Sequence, residues 1–135
     1  MLSLRTKHAL RALMALAAIS DDGTLKTADL VGATGASRGY LENILTELTR
    51  HGLIRSVRGR GGGFRLARPA HLITYAEVIR ALEGPLALAT CASLTRYARC
   101  ADCADEHTCA IRKALVSVRN ATAEVLEQTT IAPIV

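Results

Sequence analysis

Between Val57 and Phe64 the chain runs Arg58-Gly59-Arg60-Gly61-Gly62-Gly63, and no helix can pass through it. Each glycine inside a helix costs about 1 kcal/mol relative to alanine, so this run divides the chain into separate structural elements. The short flanking segments, Leu53 to Val57 and Phe64 to Leu66, are rich in branched and aromatic residues and read as two extended strands around a glycine-rich tip. A glycine-rich loop that cradles a nucleotide phosphate wants a strand before it and a helix immediately after it. Here a strand follows, so the segment reads as a β-hairpin, a wing. Its glycines allow close approach to a duplex, and Arg58 and Arg60 can reach a narrow minor groove or the flanking phosphates.

The residues before the hairpin are helical in period. Leu10, Leu13, Met14 and Ala17 recur at helical spacing and stop at Asp21-Asp22-Gly23, which predicts a helix over about 3–19. Thr27 is expected to cap a short second helix carrying Leu30 and Val31 and ending near Gly35. Ser37 is expected to cap a third, whose apolar positions Leu41, Ile44, Leu45 and Leu48 follow the i, i+3, i+4, i+7 rule, with Gly52 as its left-handed stop. Two short helices around a tight turn can form an ordinary helical hairpin or a helix-turn-helix. In the latter the second helix enters the major groove with its N-terminal residues at the base edges. Those residues are Ser37, Arg38, Gly39, Tyr40, Glu42 and Asn43.

Charge favours the DNA-binding reading. Residues 37 to 68 hold seven arginines against two glutamates, an excess equal to the whole net charge of +5. Such an excess on one unit is the footprint of a polyanionic partner, here double-stranded DNA. No apolar run is long enough to cross a bilayer, and the apolar stretch after Arg11 is periodic, without a small-residue cleavage site. No membrane association and a cytoplasmic location are therefore expected. The chain has no Trp, one Phe and three Tyr, so its core must be built from Leu, Ala, Val and Ile.

Beyond the hairpin, Thr74-Tyr75-Ala76-Glu77 has the form of a capping box opening a helix with Val78, Ile79 and Leu82, closed by Gly84-Pro85 and expected to buttress the wing. A longer helix later carries Ile111, Leu115, Val118, Thr122 and Val125, spaced four, three, four and three. This is the 3.5-residue period of a coiled-coil seam. A single helix beyond a small domain needs something to bury its stripe, so a homodimer is expected.

All four cysteines, Cys91, Cys100, Cys103 and Cys109, fall within nineteen residues between these two helices. In a reducing cytosol such clustering points to metal or redox chemistry. Thiolates are soft ligands for iron-sulfur clusters and for zinc. A zinc ribbon wants paired Cys-x-x-Cys knuckles, and only Cys100-x-x-Cys103 exists. A disulfide oxidoreductase would place that motif at the start of a helix after a strand, whereas a loop surrounds it here. No enzymatic activity is expected.

The order of features resembles the Rrf-two regulators, a family of IscR, NsrR and RirA type, over nearly the whole chain. The most specific matching residues are Tyr40-Leu41-Glu42, then Gly52-Leu53-Ile54, then Ser56-Val57-Arg58-Gly59 through Gly62-Gly63-Phe64. The resemblance implies a recognition helix, a wing, a dimerisation helix and a three-cysteine cluster site, with Cys91, Cys103 and Cys109 in the three cysteine positions. Where the IscR type supplies a histidine three residues after the last cysteine this chain has Arg112, and where the NsrR type supplies an acid from the first helix it has Lys7. Cys100, an extra thiol within a lengthened interval, is therefore the candidate fourth ligand, with His8 and His107 as outside choices. Some similar proteins carry no cluster and answer to a protein or metabolite instead.

The expected architecture is mainly α: a winged helix-turn-helix DNA-binding domain over 1–85, a cysteine-rich cluster-binding loop over 86–110, and a dimerisation helix and tail over 111–135. The expected function is a DNA-binding transcriptional regulator, a repressor, sensing iron, redox or nitric-oxide status through a 2Fe-2S or 4Fe-4S cluster. A zinc- or thiol-based regulator without iron, a cluster-free regulator with another effector and a thiol-disulfide oxidoreductase are the alternatives.

Overall fold

The computed structural model of the chain describes residues 2–133, so the last two positions of the expected tail lie outside it. Helix α1 spans Leu4–Ala17, α2 spans Thr27–Thr34 and α3 spans Arg38–Arg50. The hairpin consists of β1, Ile54–Val57, and β2, Gly63–Leu66. Helix α4 covers Tyr75–Glu83 and α5 covers Ala110–Gln128, with short 3-10 turns at Ala70–Leu72 and Thr90–Ala92. This is a mainly helical winged helix-turn-helix with a long C-terminal helix.

Local chemistry explains most element boundaries. The Ser3 hydroxyl caps α1 by accepting from the Thr6 amide at 3.2 Å. Thr27 proves to be the first helical residue of α2 rather than its cap. Lys26 precedes it, and the carboxylate of Asp29 reaches back to accept the Lys26 amide at 2.9 Å. Ser37 does stand at the N-cap of α3, but its hydroxyl makes no capping bond. Gly35 and Gly52 end α2 and α3 at φ of 75° and 72°, where a side chain would strain the backbone. Thr74 caps α4 through the Glu77 amide at 3.1 Å, and the Glu77 carboxylate is held by Arg68.

One core holds these elements together. From α1 it takes Ala9, Leu10, Ala12, Leu13 and Leu16, from α2 Leu30, and from α3 Leu41, Ile44, Leu45 and Leu48. Met14, expected on the same stripe of α1, is instead exposed, and its sulfur accepts from the Tyr75 hydroxyl at 3.6 Å. Each fully buried leucine or isoleucine contributes about 1.5–3 kcal/mol through the apolar surface it removes from water.

Two long-range closures have no local signature. Leu25 pairs with the free edge of β2, exchanging bonds of 3.0 and 2.7 Å with Phe64, while the Thr24 hydroxyl donates to the Gly61 carbonyl at 2.7 Å. Gly63 is required at this crossing, because a Cβ there would stand 2.6 Å from the Leu25 carbonyl oxygen. After α5 the chain turns back into the core. Thr130 bridges to Thr74, the Ile131 amide donates to the Ile73 carbonyl at 3.0 Å, and Ile131 is buried. Helix α4 packs on α1 and α5 rather than buttressing the wing; α1 and the Leu25 segment do that.

Candidate nucleic-acid interface and cysteine centre

Burial of Leu41, Ile44, Leu45 and Leu48 fixes which side of α3 faces away from the core. Ser37, Arg38, Tyr40, Glu42 and Asn43 all lie on that exposed side. Arg38 Nε bonds Glu42 Oε1 at 3.1 Å, with both side chains more than half exposed. An exposed i, i+4 pair contributes only about 0.3–0.5 kcal/mol, so either partner can be redirected to DNA at small cost. The Tyr40 ring stands edge-on to His8 of α1, with centroids 5.7 Å apart and planes at 80°.

Arg58 and Arg60 are exposed at the hairpin tip. Between the wing and α3 runs a groove of about 430 Å³, to which Arg38, Val57, Gly59 and Phe64 contribute, together with Lys26 and Thr27 at the start of α2. The start of α3, the wing and the N-terminus of α2 thus share one concavity, which bears Lys26 and Arg38. The positive end of the α2 dipole and Lys26 favour a phosphate there, and the Asp29 carboxylate, which already accepts the Lys26 amide, opposes one. Lys26 joins this groove without a sequence signal of its own beyond being a lysine immediately before a helix.

The structure brings all four cysteines to one cavity of about 390 Å³, where Asp102, Ile111, Arg112 and Leu115 join them. Cys91 is buried on the turn at Thr90–Ala92, and Cys109 is the N-cap of α5, its sulfur accepting from the Arg112 amide at 3.4 Å. The Cys91 side chain, first by hydrogen bonding and then by its charge, pushes the Cys100 thiol above its ordinary value, and burial, Asp102 and Cys103 act in the same direction. Among the described residues no three His, Cys, Asp or Glu side chains converge as ligands of a single ion. His107 is exposed in the loop and His8 lies against α3.

Three arginines hold this region in place. Arg99 donates to the carbonyls of Cys103 and Ala104 at 3.1 and 3.2 Å. From α5, Arg112 Nε donates to the Cys91 carbonyl at 3.0 Å and Arg119 Nη1 to the Ala92 carbonyl at 2.7 Å. The seven-residue spacing of Arg112 and Arg119, two turns on one helical face, was the available signal that α5 grips the cysteine turn. The adjoining edge of α5, about 100° round the helix from the two arginines, is exposed, with Ile111, Val118 and Val125 open by 72, 45 and 63%. Leu115 and Thr122 are half-buried beside them. No described helix is both long and apolar enough to cross a membrane.

Comparison with known proteins agrees with this architecture. The family model Rrf2, described as an iron-dependent transcriptional regulator, matches residues 2–135. An rrf2-like HTH-type transcriptional regulator of Rhodobacter capsulatus is 36% identical over 121 residues, which is 87% of this chain and 81% of that protein. Among solved structures, CymR, the global cysteine regulator of B. subtilis, is similar with a TM-score of 0.78 and 27% identity over 97% of this chain and 92% of that one. The T. potens IscR is similar with a TM-score of 0.74 and 25% identity, over 97% and 82%. The family model and the Rhodobacter relative describe transcriptional regulators rather than enzymes, and the two solved structures share the winged helix-turn-helix and the long C-terminal helix described above. The chain belongs to the Rrf2 family of DNA-binding transcriptional regulators.

Proposed function

We propose that the protein is a cytoplasmic, homodimeric repressor that senses iron, redox or nitric-oxide status through an iron-sulfur cluster held by Cys91, Cys100, Cys103 and Cys109. The carrying observation is that these four thiols, the whole cysteine complement of the chain, line one cavity at the foot of α5. The donor set fits a cluster chemically, since four soft thiolates satisfy a 2Fe-2S or a 4Fe-4S centre. When bound, the cluster supplies a centre that oxidation, nitric oxide or iron shortage can alter.

The surrounding residues carry such a change outward. Ile111 and Leu115 belong both to the cavity wall and to the apolar stripe of α5, so a rearrangement at the thiols reaches that stripe within one turn. A second copy of the chain suits the bare stripe of Ile111, Leu115, Val118, Thr122 and Val125, whose 3.5-residue period is that of a paired helix. Regulation then requires that the dimer arrangements differ in affinity for DNA, because a signal shifts an equilibrium only by its differential binding to the two states. In this reading residues 1–85 bind the operator, 86–110 hold the cluster, and 111–135 pair the subunits. Base preference comes from Ser37, Arg38, Tyr40, Glu42 and Asn43, and Arg58 and Arg60 provide sequence-independent phosphate contacts.

Anaerobic purification, visible absorption and iron and sulfide analysis of the wild type and the four Cys→Ala variants test the proposal. Visible colour, acid-labile sulfide and loss of iron in each variant are expected. A Cys100→Ala variant with full iron and an unaltered spectrum would remove Cys100 from the ligand set. Tightly bound zinc without sulfide would remove the cluster. A second reading, a cluster-free thiol regulator, draws on the approach of Cys91 to Cys100 and on the likeness to the cysteine regulator CymR. It predicts a colourless, metal-free protein whose affinity for DNA changes when its thiols are oxidised.

A further inference from the structure

From the geometry between α1 and α3 we infer that His8 is a positioning residue for operator recognition, holding the Tyr40 side chain in the orientation that meets the DNA. The inference rests on the reading of Tyr40 as a base-contacting residue. Tyr40 is the third residue of α3, on the exposed side of its first turn, and 36% of its surface is open. On α3 itself the residues three and four positions away, Ser37, Asn43 and Ile44, offer the ring no aromatic partner. The contact comes from another helix. His8 projects from the second turn of α1, half-buried, and its ring meets that of Tyr40 in a T-shaped arrangement, centroids 5.7 Å apart and planes at 80°.

The histidine ring is partly enclosed. Its Nδ1 is sealed from solvent and has no hydrogen-bond partner. A buried nitrogen without a partner is unfavourable, so hydrogen bonding at this nitrogen does not account for where the ring stands. The neighbouring residues of α1, Thr6, Ala9 and Leu10, are buried and fix the helix on the core, so His8 is presented to Tyr40 as a stop from a fixed backbone. Edge-to-face packing has a preferred geometry, so it selects among the Tyr40 rotamers before DNA arrives. Without the stop the ring samples other rotamers, and specific binding must reorder it. Binding through phosphates, which makes no use of the ring, is unaffected.

The test measures affinity of the anaerobically purified full chain for two duplexes of equal length: one enriched by in vitro selection on the wild type, and a scrambled control. His8→Ala and His8→Leu are each expected to weaken binding to the selected duplex roughly 2- to 10-fold, the range of an aromatic pair, with the scrambled duplex bound as before. His8→Phe, which keeps the ring, is expected to restore selectivity. In a Tyr40→Ala background, His8→Leu is expected to change nothing further. Equal weakening on both duplexes, failure of His8→Phe to restore, or additivity with Tyr40→Ala would overturn the inference. His8→Leu fills the same space, so loss of folding in His8→Ala alone leaves the test intact. If Tyr40→Ala keeps full discrimination, the base-reading role of Tyr40 fails first. If it loses discrimination while His8→Leu does not, only the positioning role fails.

Discussion

Replacing Arg119 with Met should loosen the grip of α5 on the cysteine turn while leaving the fold intact. Arg119 Nη1 donates to the carbonyl of Ala92, which is fully buried next to Cys91, and its Nη2 and Nε bond only the exposed side chain of Asn120. Methionine preserves the aliphatic stem and removes the donor, so the Ala92 carbonyl loses a charged partner with little loss of packing. Hydrogen bonds to charged groups contribute about 1.5–3 kcal/mol. For a chain of this length, 1 kcal/mol corresponds to roughly 3–4 °C in Tm, so a fall of about 5–12 °C is expected. The assay is calorimetric unfolding at fixed protein concentration, because association makes Tm concentration-dependent. Arg60→Met at the exposed wing tip is the control and should melt within about 2 °C of the parent. If Arg119→Met melts as Arg60→Met does, the α5 anchor carries no stability and the reasoning from Ala92 fails. Under the cluster reading, the same variant should also surrender iron to a chelator faster than the parent.

Val118→Asp combined with Val125→Asp should convert a dimer to monomers by light scattering, since both valines are exposed on the bare edge of α5 and away from the cysteine cavity. A dimer that persists places the seam elsewhere. Arg60→Ala should flatten the log-log salt dependence of DNA binding by about one unit, the signature of one lost phosphate contact; an unchanged slope with lost sequence preference would reassign Arg60 to base recognition. Gly63→Ala should lower stability by about 1–3 kcal/mol in denaturant titration, because its Cβ would stand 2.6 Å from the Leu25 carbonyl oxygen. Stability equal to the parent would mean that the third-strand contact of Leu25 is dispensable.

Most features whose cause lies within a few residues are legible in the sequence, the caps expected at Thr27 and Ser37 being the exceptions. The i, i+3, i+4, i+7 stripe of α3, the stops at Gly35 and Gly52, the cap at Thr74 and the glycine tip of the wing all follow from side-chain period and backbone freedom. Both are properties of the local chain. The exposed side of α3 follows as well, because once Leu41, Ile44, Leu45 and Leu48 are buried, Arg38, Tyr40 and Glu42 have only one place to be. The same logic brought out Ile111, Val118 and Val125 as an apolar edge of α5.

Tertiary structure decided what those faces meet. An amphipathic pattern states that one side of a helix is buried but not against which neighbour, which is why α4 was expected under the wing and lies instead on α1 and α5. Leu25 closes the free edge of β2, and Ile131 returns to the core beside Ile73. A single residue has no period to betray such pairing. Cysteine spacing in an irregular loop permits many arrangements; their meeting in one cavity depends on Arg99, Arg112 and Arg119 gripping backbone carbonyls far along the chain or across the loop. The contact of His8 with Tyr40 depends in turn on how α1 crosses α3. Sequence period determines the shape of each element, because it acts over one or two turns. The pairing of elements belongs to the core, where close packing admits few relative placements of the same faces.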